Sequence, residues 1–299
     1  MSTSTLFYRA SALPIPRTPV APVARQVDGT TLQKPIFHTY VDDWNNNGIP
    51  PAEKLKGFNV VSLAFYTSKG PADSALWWQN LGSEKQMKYK EEYNAAGIKL
   101  FVSLFGGSVE EEKISENIPN PAPLAAEIGN WVKQNNLDGV DVDYEGFSAM
   151  IAGTGEKWVI DFQKKLRSIL PSPQYLICHT PVAWWFMPNR WPGGGYAFVH
   201  KEVGNTIDWY NVQFYNVNDI EYTSTCKGLL IQSSSQYPQT SLFEIAITSS
   251  IPLEKLVIGK PPTKEDAGHG TMDPDLLAKC LWAAKMMGWN GGVMGWKVG

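Results

Sequence analysis

The chain has 299 residues, of which 43% are hydrophobic and 18% are charged, and its formal net charge at pH 7 is -3. This length and apolar content suffice for one large domain with a sizeable core. The weak negative charge and the lack of a basic cluster argue against a nucleic acid or an anionic membrane as a partner.

The cysteine pattern and the N-terminus exclude several further classes. Cys178, Cys226 and Cys280 are too few and too scattered for a disulfide framework, their spacing does not match a zinc site, and at least one thiol should stay free. The sequence contains no run of eighteen apolar residues, so it predicts no membrane-spanning helix. The first residues lack the basic and apolar regions of a classical secretory signal. The sequence therefore predicts an intracellular or non-classically secreted protein, or one whose leader was removed.

The predicted elements begin after an extended arm. Residues 1–33 contain several prolines and show neither a helical nor a strand period, which predicts an extended N-terminal arm. From residue 34, short apolar runs alternate with helical segments. The predicted strands are 36–40, 59–66, 99–105, 139–144, 175–179, 208–215, 256–259 and 292–296. Strands that alternate with helices predict an α/β protein, a single-domain (β/α)8 TIM barrel over residues 34–299, with its active site at the carboxyl ends of the strands.

Helical periodicity is clearest in three of the intervening segments. Apolar residues recur at helical spacing at Leu124, Ile128, Trp131 and Val132, at Trp158, Phe162, Leu166 and Ile169, and at Leu277, Leu281, Ala284 and Met287. Pro274 follows Asp273 and is predicted to lie in the first turn of the last helix.

The fourth predicted strand carries carboxylates at alternate positions, Asp141, Asp143 and Glu145. Because successive side chains of a strand point to opposite faces, the three acids share one face and the intervening apolar residues share the other. Partial burial of such a row would raise the pKa of at least one carboxyl and make it a general acid. A solvated surface strand is the alternative, but the apolar opposite face favours a covered strand. An EF-hand loop is not supported, because its twelfth position is Ala152.

The stretch from Asp138 to Glu145 resembles the D-G-x-D-x-D-x-E signature of glycoside hydrolase family 18, with Gly139 after the first acid. Two later segments are also similar to this family: Q-F-Y at residues 213–215 and G-G-V-M-G-W at residues 291–296. The resemblance extends from about residue 35 to the end of the chain.

The resemblance implies a retaining enzyme that cleaves the β-1,4 bond after N-acetylglucosamine, with the substrate's own 2-acetamido group as the nucleophile. Glu145 would protonate the leaving oxygen and then activate water, Asp143 would orient the acetamide nitrogen, and Tyr215 would hold the acetamide oxygen. Asp141 would share a proton with Asp143, because two adjacent carboxyls do not easily both ionise. No metal and no cofactor are implied, and a monomer is expected.

Further substrate contacts are expected around these acids. The resemblance implies that Trp296 forms the floor beneath the reacting sugar and that Gln213, Asn216 and Tyr40 contact the substrate. Trp184 and Trp185 lie with Phe186 and Trp191 in a Gly/Pro-rich loop, where a sugar-binding platform and ordinary packing are both open interpretations.

Two expectations concern the second and third strands. The resemblance implies a non-proline cis peptide between Ala64 and Phe65. The segment around Ser103 resembles the family's S-x-G-G segment but contains an extra residue, Phe105, which argues against a functional role for Ser103.

The branch of the family, and with it the substrate, has two candidates. The segment I-D-W-Y-N-x-Q-F-Y, residues 180–183 and residues 291–296 resemble the fungal endo-β-N-acetylglucosaminidases, which would act on the chitobiose core of N-glycans. Asn216 and residues 267–270 equally resemble the hevamine-type chitinases, which would act on chitin or chitooligosaccharides. A chitin-binding lectin that has lost catalysis is the rival class, but such proteins typically lack the acid that Glu145 supplies.

Overall fold

The computed structural model of the protein describes residues 32–42, 48–107, 120–218 and 220–297. Most of the predicted N-terminal arm, residues 1–31, lies outside these residues, so the arm and its boundary stay predictions. The described strands are β1 (Ile36–Val41), β2 (Val60–Thr67), β3 (Gly70–Pro71), β4 (Lys99–Phe105), β5 (Gly139–Asp143), β6 (Leu176–His179), β7 (Trp209–Gln213), β8 (Leu256–Lys260) and β9 (Gly292–Gly295).

These strands form a closed parallel barrel. Each consecutive pair of barrel strands is parallel, and β1 pairs with both β2 and β9, so the sheet has no free edge. The short strand β3 is the exception, because it pairs antiparallel with the end of β2. The predicted (β/α)8 barrel is therefore confirmed, and every predicted strand is present within two residues of its expected ends.

The helices cover the outside of the barrel. They are α1 (Asp73–Asn80), α2 (Ser83–Ala95), α3 (Ala122–Gln134), α4 (Phe147–Ala152), α5 (Gly155–Ile169), α6 (Gly195–Val203), α7 (Cys226–Leu230), α8 (Leu242–Thr248) and α9 (Pro274–Met286). No helix within the described ranges is long and apolar enough to cross a membrane. The large core lies between the sheet and these helices, and a smaller cluster fills the barrel interior.

The last helix agrees with its predicted start and with its predicted buried face at Leu277, Leu281 and Ala284, but not at Met287. Asp273 caps α9 by accepting a hydrogen bond from the backbone of Leu276, and Pro274 follows in the first turn, as predicted. Cys280 and Ala284 are the buried residues of this helix, whereas Met287 is exposed. Met287 follows the last helical turn, so the helical period no longer directs its side chain toward the barrel.

A disulfide joins Cys226 of α7 to Cys280 of α9. The sequence did not predict this bond, because the two cysteines are separated by 54 residues and no local pattern pairs them. Cys178 is free and buried inside the barrel, in agreement with the expectation of one free thiol. The bond ties the segment after β7 to the helix before β9.

Candidate active site

The acidic row of β5 points into the barrel at the carboxyl end of the strands. Asp141 and Asp143 are buried, and Glu145 lies two residues beyond the end of β5, where it is only partly covered. Burial raises the pKa of Asp143 well above its ordinary value, and the neighbouring charges of Glu145 and Asp141 raise it further. Burial also raises the pKa of Asp141. Because adjacent buried carboxylates cannot all ionise, this geometry favours a shared proton.

Hydrogen-bond donors surround the deepest acid, Asp141. Thr180 Oγ1 donates to its Oδ1, Ser103 Oγ donates to its Oδ2 at 2.8 Å, and Cys178 Sγ lies 3.3 Å from its Oδ1. These bonds oppose the effect of burial on the pKa of Asp141. Asp141 is therefore held in one orientation beneath Asp143.

Ser103 contacts Asp141 despite the extra Phe105, so the added residue does not move Ser103 out of the site. Phe105 has a left-handed backbone, with φ of 71°, and its ring packs against Trp158 and Phe162 at centroid distances of 5.7 and 5.6 Å. The inserted side chain is thus accommodated in the helix layer after Ser103, and the register of Ser103 toward Asp141 is unchanged.

Gln213 connects the two outer acids. Its Nε2 lies 3.0 Å from Asp143 Oδ1, 3.2 Å from Glu145 Oε1 and 2.9 Å from the carbonyl of Thr180. The sequence predicted Gln213 as a substrate contact, and the residue does line the pocket. Its amide, however, is directed at the carboxylates, so its geometry suits orienting them.

The acids open into a cavity of about 440 Å³ at the mouth of the barrel. The residues that line it are Asp42, Phe65, Thr67, Asp73, Phe105, Gly106, Gly107, Asp143, Glu145, Gln213, Tyr215, Asn216 and Trp296. Gly107 matters to its shape, because a Cβ added there would lie 2.7 Å from Glu145 Oε2. The backbone after β4 can therefore approach the acid closely.

Trp296 lies in this cavity together with Glu145, Asp143 and Tyr215, as predicted. Its ring stacks on Phe65 at a centroid distance of 5.6 Å and an interplanar angle of 27°. The peptide between Ala64 and Phe65 is cis, as the resemblance implied.

Tyr215 and Asn216 follow the end of β7 and line the same cavity. Burial raises the pKa of Tyr215 well above its ordinary value, so its hydroxyl stays neutral and can donate a hydrogen bond. Asn216 has a left-handed backbone, with φ of 55°, and its N–H donates to the carbonyl of His269 at 2.9 Å. Both residues thus lie where the sequence predicted them.

Tyr40 lies below the cavity and does not line it, which corrects its prediction as a substrate contact. Its side chain is 1% exposed, and its ring packs under Trp296 at 5.1 Å. Because Thr180 donates to Asp141, the hydroxyl of Tyr40 donates to Thr180 Oγ1, at 3.1 Å. Tyr40 therefore supports the floor and the acids from beneath.

The aromatic loop after β6 is mostly core, so the prediction of a sugar-binding platform is wrong for Trp185. Trp185 is buried and stacks on Tyr196 at 5.8 Å. The glycine-rich loop packs closely over this tryptophan: a Cβ added at Gly195 would lie only 2.4 Å from the Trp185 carbonyl oxygen. The loop is held there by Glu156, which accepts a hydrogen bond from the Gly195 N–H at 2.8 Å. Trp184 is half-buried against the ring of Phe147, outside the lining of the cavity.

Two acids in the cavity lining had no signal in the sequence. Asp42 follows β1 and pairs with Lys297 at 2.9 Å, and Asp73 begins α1 with a positive φ of 41°. Burial and the charge of Asp42 raise the pKa of Asp73. Only the closure of the barrel brings these positions beside Trp296. The described residues contain no group of three or more His, Cys, Asp or Glu side chains that could hold a metal.

Comparisons with known proteins agree with this fold. No protein-family model and no curated protein matches the sequence. A family 18 chitinase from Pseudoalteromonas aurantia matches the structure with a TM-score of 0.68 and 26% identity, over 88% of this chain and 94% of that chain.

Two fungal structures match with lower identity and show the fold alone. A fungal endo-β-N-acetylglucosaminidase of glycosyl hydrolase family 18 has a TM-score of 0.59 and 19% identity, over 88% of this chain and 90% of that chain. A chitinase from Aspergillus fumigatus has a TM-score of 0.60 and 17% identity, over 88% and 91%.

A closed (β/α)8 barrel whose acids converge on an aromatic-floored cavity at the strand ends has the architecture that a glycoside hydrolase requires. The acidic signature ending at Glu145, together with the match to the Pseudoalteromonas aurantia enzyme, places the chain within that class. The acidic signature and the matched structure are both those of glycoside hydrolase family 18, which this chain resembles.

Proposed function

We propose that this protein cleaves the β-1,4 bond after N-acetylglucosamine with retention, by a mechanism in which the substrate supplies the nucleophile. The observation that carries the proposal is the convergence of Asp143, Glu145 and Tyr215 in one cavity above Trp296. A sugar ring on the indole would present its 2-acetamido group to Asp143 and Tyr215 and its glycosidic oxygen to Glu145.

The first step forms an oxazolinium ion and expels the leaving group. The acetamido oxygen attacks the anomeric carbon while Glu145 donates a proton to the departing oxygen. Asp143 orients the acetamide nitrogen, and the neutral hydroxyl of Tyr215 holds the oxygen in place. The raised pKa values of Asp141 and Asp143 support a proton shared between these two carboxyls.

In the second step Glu145 acts as the base. It removes a proton from a water molecule, which attacks the anomeric carbon and opens the oxazolinium ring. Two inversions at the same carbon give net retention. Gln213 supports both steps, because its amide lies within 3.2 Å of an oxygen of Asp143 and an oxygen of Glu145.

Two substrates contain this bond, and each is favoured by one observation. The sequence segments shared with fungal endo-β-N-acetylglucosaminidases favour the chitobiose core of N-glycans, which we place first. The match to the Pseudoalteromonas aurantia chitinase, at 26% identity, favours chitin or chitooligosaccharides as the second candidate. Asp42 and Asp73 line the same cavity and would be available to contact the substrate.

The test is a side-by-side digestion of a high-mannose glycoprotein and a chitooligosaccharide, with the Glu145→Gln protein as the control for contaminating activity. Release of the intact glycan identifies the first candidate, and shortened chitooligosaccharides identify the second. Binding of either sugar without any product would overturn the enzyme and support the lectin.

The mechanism has its own test. A thiazoline analogue of the oxazolinium ion should inhibit the wild-type protein, because it places a ring between Asp143 and Tyr215 as the intermediate would. Product formed by the active enzyme should first appear as the β-anomer. Lack of inhibition by the thiazoline in an active enzyme would rule out participation of the acetamido group.

A further inference from the structure

Lys260, the last residue of β8, is a buried lysine that the proposed mechanism does not use. The residue is only 3% exposed. Its Nζ donates to three main-chain carbonyls, those of Phe214 at 2.7 Å, Tyr222 at 2.8 Å and Gly270 at 3.0 Å. The amine is therefore directed at the backbone of two loops that lie at the mouth of the barrel.

The number of partners matches the chemistry of an ammonium group. A protonated lysine has three N–H donors and no acceptor, whereas the neutral amine has two donors. A buried carbonyl without a donor is costly, so buried carbonyls in proteins are almost always paired. Protonated Lys260 satisfies all three carbonyls, and loss of the proton would leave one of them without its hydrogen.

The contacts of Lys260 converge on residues that line the cavity. Phe214 directly precedes Tyr215, and a Cβ at Gly270 would lie 2.4 Å from the Cα of Tyr215, so the Gly270 backbone packs against this tyrosine. The carbonyl of Lys260 itself accepts a hydrogen bond from the N–H of Trp296 at 3.2 Å.

The same two loops hold Asn216. Its N–H donates to the carbonyl of His269 at 2.9 Å, and its Oδ1 accepts from the N–H of His269 at 3.4 Å. His269 directly precedes Gly270, whose carbonyl is bound by Lys260. The position of Asn216 thus depends on the loop that the ammonium group holds.

We propose that Lys260 is a positioning residue of the active site, whose ammonium group locks together the loops that present Tyr215 and Asn216 to the substrate. Lys260 does not reach the sugar itself and acts through the backbone of these loops. The inference rests on the proposed function, because Tyr215 is assigned there to the acetamide of the substrate.

The protonation of Lys260 makes this role dependent on pH. Burial lowers the pKa of Lys260 to about 7. The protonated amine, with its three donors, therefore predominates below pH 7 and is lost as the pH rises above that value. Tyr215 and Tyr222, on the packed loops, stay neutral there because burial raises the pKa of both. The remaining titratable groups on the packed segments are Glu221, Lys264, Glu265, Asp266, His269 and Lys297, with Asp143 and Glu145 across the cavity.

Lys255 provides a matched control at the other end of the same strand. It directly precedes β8, and its Nζ donates to the carbonyls of Gly204 at 2.8 Å and Ile207 at 2.6 Å. Loss of either lysine removes an amine that binds main-chain carbonyls. Only Lys260 does so at the carboxyl ends of the strands, where the cavity lies.

The experiment compares Lys260→Met, Lys260→Arg and Lys255→Met with the wild type, using kcat, KM and the Kd of the thiazoline analogue across the neutral pH range. A misplacement of about 1 Å at a reacting centre can cost about 100-fold in rate. We therefore expect Lys260→Met to lose about 100-fold in kcat, with a matching loss of thiazoline affinity, below pH 7, where Lys260 of the wild type is protonated. Lys255→Met should lose thermal stability but keep both values.

The pH profile tests the ammonium directly. The wild-type affinity for the thiazoline should fall as the pH rises through about 7. Lys260→Arg should keep part of the affinity and lack this fall, because a guanidinium stays protonated. If Lys260→Met does not fold, the comparison of the wild type with Lys260→Arg still tests the proposal.

Equal effects of Lys260→Met and Lys255→Met on kcat and Kd, or the same fall in affinity in the wild type and Lys260→Arg, would overturn the role of Lys260. A folded wild type that hydrolyses neither substrate would instead overturn the proposed function, so the two failures are distinguishable.

Discussion

The side-chain amide of Gln213 donates a hydrogen bond to Asp143 Oδ1 at 3.0 Å, and so connects β7 to β5 across the intervening strand β6. This bond lowers the pKa of Asp143, whereas burial and the charge of Glu145 raise it. Gln213 therefore limits how strongly the site favours the protonated form of Asp143, and it fixes which oxygen faces the substrate.

Gln213→Leu should lower kcat by about 10- to 100-fold, because a hydrogen bond to a charged group contributes about 1.5–3 kcal/mol. Gln163→Leu is the matched control, since Gln163 is equally buried and donates to the carbonyl of Thr206 at 2.9 Å, away from the cavity. Both variants should lose stability, measured by thermal unfolding, but only Gln213→Leu should lose turnover. Equal kcat values for the two variants would contradict the assignment.

Glu145→Gln should lose at least about 100-fold in kcat, the lower end of what a general acid or base contributes. The amide is nearly isosteric with the carboxyl but cannot donate the proton that the leaving oxygen needs. Oligosaccharide binding, measured by calorimetry, should persist, and Glu127→Gln on α3 serves as the control for the substitution itself. Substantial residual activity in Glu145→Gln would remove Glu145 from its role.

Asp143→Asn should change how stability depends on pH. Because the pKa of Asp143 is raised in the folded protein, the folded state binds this proton more tightly than the unfolded chain does. The stabilising contribution of the carboxyl is therefore complete at low pH and is lost as the pH rises through the folded-state pKa. Between the unfolded-state pKa and the raised folded-state pKa, the asparagine protein should gain about 1.4 kcal/mol of unfolding free energy per pH unit relative to the wild type.

Chemical denaturation at several pH values measures this gain. Asp161→Asn, at a half-buried position on α5 where the carboxylate pairs with Lys157 outside the cavity, controls for the loss of a carboxylate. If the difference in unfolding free energy between Asp143→Asn and the wild type does not vary with pH, Asp143 has the same pKa in the folded and unfolded chains.

Turnover should also fall strongly in Asp143→Asn, with transfer of sugar to other acceptors favoured over hydrolysis.

Trp296→Ala should weaken substrate binding by about 1.5–3 kcal/mol, the scale of burying one large apolar side chain. The indole provides the apolar surface beneath the sugar, and Phe65 and Tyr40 support it from its other sides. Trp282→Ala is the control, because Trp282 is a tryptophan of α9 that is 67% exposed. An unchanged KM and Kd in Trp296→Ala would mean that the sugar does not lie on this ring.

The structure also explains why some positions were out of reach of sequence analysis. Ser103 bonds to Asp141 because the two residues are register partners in the parallel strands β4 and β5, and Phe105, with its left-handed backbone, packs its ring against Trp158. Trp185 is buried because the glycine-rich loop closes over it. Whether an inserted residue shifts a register, or a loop covers an aromatic ring, depends on packing between elements and not on local spacing.

The sequence by itself determined the strands, the face of β5 that carries Asp141 and Asp143, and the position of Trp296 near the end of the last strand. These follow from the alternation of side chains along an extended backbone, which is a local property of the chain. Only the tertiary structure decided that Cys226 pairs with Cys280 and that Lys260 reaches the carbonyls beside Tyr215. Such contacts join segments that are distant in sequence, and closure of the barrel is what brings them within bonding distance.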